Sequence, residues 1–260
     1  MKKPTTSRSR PAKRPPILLF CRCAQAQVTP TSARQRVAEE LASRGATVEA
    51  VDDLCGLAAR RDAMLARLAG GGPLRIVACH PRAVRWLFAA AGAALPEEDV
   101  EFFNLRTQSA EDVLERLATD ESNSKPVSPA SVSPAPAIAI PAAWVPWFPV
   151  IDYDRCTGCR QCLQFCLFGV YGEDDGRVCV VQPSHCKTGC PACARMCPSG
   201  AIIFPKYTGG LISGDDSPPD ADPSRPVKPI DFSSLEGLDL REAIRRRQEI
   251  LKQHEGRRHG

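Results

Sequence analysis

Eight of the nine cysteines from residue 156 to residue 197 fall into two regular runs, which constrain this chain more than any other feature. Cys156, Cys159, Cys162 and Cys166 run C-x2-C-x2-C-x3-C, and Cys186, Cys190, Cys193 and Cys197 run C-x3-C-x2-C-x3-C with Pro198 next. Three of the four pairs lie 31 residues apart, and Gly169-Val170-Tyr171 returns 31 residues later as Gly200-Ala201-Ile202. The segment is therefore an internal duplication. Three thiolates within seven residues wrap one face of an iron–sulfur cube, and the fourth ligand must come from elsewhere. If the fourth cysteine of each run crosses to the other repeat, Cys156, Cys159, Cys162 and Cys197 hold one 4Fe-4S cluster. Cys186, Cys190, Cys193 and Cys166 then hold a second. Thr157, Gly158, Lys187, Thr188 and Gly189 supply small loops whose backbone N–H groups can point at sulfur. Zinc knots are built from paired C-x2-C hooks and not from triplets with a trailing fourth, which sets them aside.

The segments CTGCRQCLQFC and CKTGCPACARMCPSGAI resemble the two halves of a bacterial two-cluster ferredoxin domain, over about a quarter of the chain. That resemblance implies a ferredoxin-like α+β fold and one-electron transfer. Two departures fall on the second cluster. Leu167 stands where the family has a proline, and the second run opens with three intervening residues instead of two. Cys179, in the apolar run Val178 to Val181, reads as a buried core residue without a ligand role.

Between Ile17 and about Ala118 short apolar runs alternate with helical patterns. Residues 17–21, 47–51, 74–79 and 100–105 read as strands, and 33–44, 56–69, 82–93 and 110–118 as helices. Gly45 can close the first helix and the Gly70 to Pro73 run the second, while Pro81 suits a first helical position. Four strand–helix units imply an α/β domain with a doubly wound, Rossmann-like parallel sheet. Cys21 and Cys23 end the first strand, Cys55 follows the second, and Cys79 ends the third, so all four lie at the edge where such sheets bind ligands. Cys55 and Cys79 also precede helices, whose dipoles favour thiolates. Placement alone leaves a cluster, another metal, and inert or redox thiols all open.

ILLFCRC, VDDLC, RIVACHPRAVRWLF and VEFFNLRTQS resemble the N-terminal domain of the A-type subunit of heterodisulfide reductase, over about 90 residues. The resemblance implies a third 4Fe-4S cluster held by Cys21, Cys23, Cys55 and Cys79, with Arg82 and Arg106 beside it. His80 replaces that family's serine and reads as a neighbouring or surface group, not a ligand. The flavin domain of the larger members opens on G-x-G-x-x-G, and no such fingerprint occurs here.

Composition supplies the boundaries. Proline is 24 of 260 residues, about 9% of the chain against a usual ~5%, and it concentrates where core would be impossible. The expected organisation is a disordered basic tail at 1–16, the α/β domain at 17–118 and a Pro/Ser/Ala linker at 119–142. The ferredoxin domain follows at 143–207, then a flexible linker at 208–232 and an amphipathic helix with a basic tail at 233–260. Asp239 and Glu242 can cap that last helix.

The first 14 residues carry six basic and no acidic groups, and the last 20 carry seven and three, which leaves the remainder near −6 in a chain of net +4. A body of that sign is a poor phosphate-backbone binder, so nucleic acid is not an expected partner. No apolar run approaches the ~20 residues of a membrane span, and Ile17 to Phe20 is too short for an export signal. The chain reads as a cytoplasmic protein whose grouped cysteines are ligands and not disulfides. Its expected role is an electron-transfer component of an oxidoreductase, more than a stand-alone enzyme. The expected partner is a redox protein, whether a flavoprotein, a hydrogenase or a reductase subunit. The alternative is a subunit of a heterodisulfide-reductase-like oxidoreductase whose N-terminal cluster is catalytic or admits electrons.

Overall fold

The apolar runs of the N-terminal half are too short and too β-branched for buried helices, and in a computed structural model they form a four-stranded parallel sheet. The structure describes residues 16–26, 28–44, 48–118, 138, 140, 141 and 144–216. The strands are β1 (Ile17–Cys21), β2 (Val48–Val51), β3 (Leu74–Ala78) and β4 (Val100–Asn104), in the order β2-β1-β3-β4. Helices α1 (Thr31–Ser43) and α5 (Ala110–Ala118) cover one face: Val37, Leu41, Val113 and Leu117 pack on Phe20, Val77 and Phe103. Helices α2 (Leu54–Arg60), α3 (Ala63–Gly70) and α4 (Pro81–Ala90) cover the other, against Leu19, Leu74 and Ile76. The period-two alternation of each strand divides its side chains between these two layers.

One helix expected over 56–69 is two. Arg61 takes a left-handed conformation (φ 52°), and Asp62 then caps α3 by accepting a hydrogen bond from the Met64 N–H at 2.9 Å. The Asp62 side chain offers the backbone a local partner that competes with continued helix. Pro81 does occupy the first turn of α4.

The cysteine-rich half opens with β5 (Val150–Ile151), which pairs antiparallel with β8 (Ile202–Ile203). Between them lie α6 (Gln161–Phe165), the hairpin β6 (Tyr171–Asp174) and β7 (Arg177–Val180), and α7 (Ala192–Met196). Phe148, Val150, Ile151, Ile202 and Phe204 belong to the same buried apolar cluster as α2, α3 and α4. The two halves thus share a core.

Residues 208–216, expected to open a flexible linker, are instead held against the fold. Leu211–Ser213 form a 3₁₀ turn, Phe204 N–H donates to Ile212 O at 2.6 Å, and Ser213 is fully buried. The reason is a close approach: a Cβ at Gly214 (φ +91°) would stand 2.7 Å from Ala83 Cβ, so only glycine lets this loop lie on α4. The tail at 1–15, Gly45, the linker at 119–137 and the helix expected from Asp239 lie outside the described residues.

Candidate metal centres and the residues around them

Each half of the duplicated segment forms a five-residue helix. Helix α6 carries Cys162 and α7 carries Cys193, and each helix ends on an extended cysteine, Cys166 (φ −75°, ψ 112°) and Cys197 (φ −75°, ψ 113°). The chain leaves each short helix at the same angle, which carries the fourth cysteine away from its own triplet. One cavity is lined by Cys156, Cys159, Cys162 and Cys197, and a second, of about 620 Å³ open to solvent, by Cys166, Cys186, Cys190 and Cys193. The extra residue of the second run is absorbed in a turn where Cys190 N–H donates to Lys187 O at 3.0 Å and Gly189 adopts φ +76°. Leu167, in the family's proline position, is half-exposed on the rim of the second cavity.

Polar groups reach the sulfurs unevenly. Ala201 N–H donates to Cys197 Sγ at 3.3 Å, and the Tyr171 hydroxyl donates to Cys193 Sγ at 3.1 Å. Burial pushes the thiols of Cys162 and Cys186 up to about 12 and that of Cys193 up to about 11. As bare thiols they keep their protons, and only a cation among them would draw the protons off. All thirteen cysteines are free of disulfides. Among the described residues no three Cys, His, Asp or Glu side chains converge on a point that one metal ion could share. A cubane asks for something wider, with sulfurs at its four corners.

Cys179 is not the core residue expected. Strand alternation turns Val178 inward and leaves Cys179 half-buried opposite Gly172.

In the N-terminal half, Cys21 and Cys55 are buried and Cys23 and Cys79 half-buried. Cys23 and Cys79 lie within electrostatic reach of each other and of both Cys21 and Cys55. Cys23 adopts φ 48°, a left-handed backbone that a non-glycine residue holds only when its surroundings enforce it. Arg34 holds that turn by donating to Arg22 O at 2.5 Å and Cys23 O at 2.9 Å.

The helix dipole does not win at these thiols. Burial, followed by neighbouring negative groups, pushes Cys79 up to about 12 and Cys55 well above the ordinary thiol range, and raises Cys21 and Cys23 too. Desolvation on this scale outweighs the ~0.3–1 kcal/mol of a helix terminus.

Asp53 caps α2 by accepting from Gly56 N–H at 3.1 Å, and its other oxygen pairs with Lys206, so a buried ion pair fastens the Cys55 turn to the segment after β8. Arg106 stays beside Cys79 and Cys23 while donating to the carbonyls of Pro205, Tyr207 and Thr208. Arg82, expected there as well, turns instead to Asp152, Gly200 O and Leu211 O. His80 is buried, accepts from Asn104 Nδ2 at 3.1 Å, and is held below its ordinary pKa by burial and then by Arg106.

Three contributors carried no sequence signal strong enough to single out. Asp152 and Lys206 are ordinary charged residues until the fold buries them. Trp147 lies between the two halves: its indole N–H donates to Cys190 O at 3.4 Å, and its ring stacks 5.4 Å from that of Phe204. A small space there is lined by Cys55, Trp147, Phe148, Phe204 and Lys206, so Trp147 touches both the Cys55 turn and the Cys190 loop.

A family model of a 4Fe-4S binding domain matches residues 148–171. The chain is 47% identical over 62 residues to an uncharacterized ferredoxin of Methanocaldococcus jannaschii, 24% of this chain but only 42% of that relative. It is 34% identical over 59 residues to pyruvate synthase subunit PorD of the same organism, spanning 23% of this chain and 67% of the relative. Ferredoxin-3 of a Nostoc species is 34% identical over 74 residues, 21% of this chain and 75% of the relative. Sulfur-lined cavities in a duplicated fold, with these relatives, define an iron–sulfur protein of the electron-transfer class. Through its cysteine-rich segment the chain belongs to the 4Fe-4S ferredoxin family. Among the described residues no helix is long and apolar enough to cross a membrane.

Proposed function

We propose that the chain is a multi-cluster electron carrier within an oxidoreductase assembly, passing single electrons between redox partners. Cys156, Cys159, Cys162 and Cys197 hold one 4Fe-4S cluster; Cys166, Cys186, Cys190 and Cys193 hold a second; Cys21, Cys23, Cys55 and Cys79 hold a third. The observation that carries this reading is the interleaving, since Cys197 lines the cavity of the first triplet and Cys166 that of the second. An all-thiol donor set in triplets with a trailing fourth, free of disulfides, fits a cubane better than zinc.

A bound 4Fe-4S cluster supplies a site that takes up and returns one electron. The residues do the rest. Thiolates fix the position, burial sets the local dielectric, and N–H and O–H donors tune the affinity for the electron. Trp147 closes the space between Cys55 and the Cys190 loop, which supports a path from the N-terminal site through the second cavity to the first.

A role as a subunit is supported by the relative named as a pyruvate synthase subunit. The partner is a flavoprotein, a hydrogenase or a reductase subunit. In the second reading the N-terminal site of a heterodisulfide-reductase-like oxidoreductase is the point of catalysis or electron entry, favoured by the charged collar of Asp53, Lys206 and Arg106 around its cysteines.

Iron and acid-labile sulfide per chain on anaerobically prepared protein test the assignment. About twelve irons supports three clusters, and about eight leaves the N-terminal cysteines as thiols. Zinc in place of iron overturns the reading.

A further inference from the structure

We propose that Tyr171 tunes the second ferredoxin-type cluster, its phenol O–H on Cys193 Sγ raising that cluster's affinity for an electron and leaving the first cluster unaffected. The inference rests on the ligand assignment above and deepens it.

The geometry is specific. The Tyr171 hydroxyl lies 3.1 Å from Cys193 Sγ, and the tyrosine is buried on the wall of the cavity lined by Cys166, Cys186, Cys190 and Cys193. A buried phenol has one proton to donate and seeks a partner for it. A thiolate is the acceptor that gains most from such a bond.

The duplication supplies the internal control. Thirty-one residues on, the equivalent position is Ile202, which lines the cavity of Cys156, Cys159, Cys162 and Cys197 and has no donor to offer. The frame repeats across the halves, Cys162 and Cys193 each standing second in a five-residue helix. The first group has its own donor on a different sulfur, Ala201 N–H to Cys197. So the two sites share a frame and differ in which sulfur is hydrogen-bonded and by what.

The electrostatics give the sign. Reduction adds one electron to the cluster and breaks no bond. A hydrogen bond to a ligand sulfur stabilises the more negative, reduced state more than the oxidised one, and so raises the potential. The placement also has a use: Trp147, which lines a small space with Cys55, donates to the carbonyl of Cys190, so a raised affinity at the second cluster holds the electron on the side whose loop reaches toward the N-terminal half.

The test uses the full chain, loaded with iron and sulfide anaerobically and titrated with dithionite while the reduced clusters are followed by electron paramagnetic resonance. Tyr171→Phe keeps the ring and removes the proton. The expected result is unchanged iron content, a more negative midpoint for one ferredoxin-type cluster and an unmoved midpoint for the other. Independently of any variant, the reduced second cluster of the unaltered protein should show a strongly coupled exchangeable proton that disappears in deuterated buffer and is missing from Tyr171→Phe. Full iron with both midpoints unmoved, or no such proton coupling, overturns the proposal and leaves the ligand assignment standing. Full iron content in Cys186→Ser overturns the ligand assignment and the proposal together.

Discussion

Arg82 Nε donates to Asp152 Oδ2 at 2.5 Å, and the two side chains, 70 residues apart in sequence, are 5% and 4% exposed. Asp152 simultaneously accepts from the backbone N–H groups of Asp154 and Arg155 through its side chain, and its carbonyl accepts from Cys156 N–H at 3.0 Å. The first turn of α4 therefore braces the loop that carries the first cysteine.

Removing Arg82 leaves the buried Asp152 with only the longer contact to Arg155, at 3.6 Å, as a counter-charge. Arg82→Ala is expected to cost about 3–5 kcal/mol, read as a lower denaturation midpoint of the anaerobic protein together with faster loss of visible cluster absorbance. An unchanged midpoint would mean that the Arg82–Asp152 pair does not help to join the halves.

Gly214→Ala places a methyl group against Ala83 of α4 in a backbone region that favours glycine. The expected loss is about 1–3 kcal/mol, measured as a drop in melting temperature. Gly209→Ala, where a Cβ meets nothing within 4 Å, should melt near the parent protein. Equal effects at both sites would remove the close-approach argument.

Cys159→Ser should release about four irons per chain, whereas Cys179→Ser should release none, because Cys179 lies on the hairpin and lines neither four-cysteine cavity. Metal analysis of both variants decides it, and iron loss in Cys179→Ser would count against the ligand sets as drawn.

Cys79→Ser probes the N-terminal group. The expected outcome is a fall from about twelve irons to about eight with the paramagnetic signals of the ferredoxin-type clusters retained. Twelve irons in this variant would exclude Cys79 as a ligand.

Much of the site was legible because its chemistry is local. The spacing of Cys156, Cys159 and Cys162 puts three thiols within seven residues, on a loop and a single helical turn, and the 31-residue repeat supplies a second such triplet. The strands were legible as well, since β1 and β3 are short apolar runs that only a sheet buried on both faces explains. Other elements were harder. The break at Arg61 and Asp62 has no glycine or proline to announce it, and the capping role of Asp62 depends on the helix already being interrupted. Cys179 escapes its pattern because an apolar run does not say which of its alternating members faces inward.

Cysteine spacing and duplication alone set the inventory and order of the candidate ligands, because they act over distances the chain spans in one or two turns. How the halves join depended on packing. Arg82 found Asp152, Lys206 found Asp53, and Trp147 came to rest between Cys55 and Cys190. Those partners lie tens of residues or more apart, and what brings them together is burial of one shared apolar core, a property of packing that no local pattern encodes.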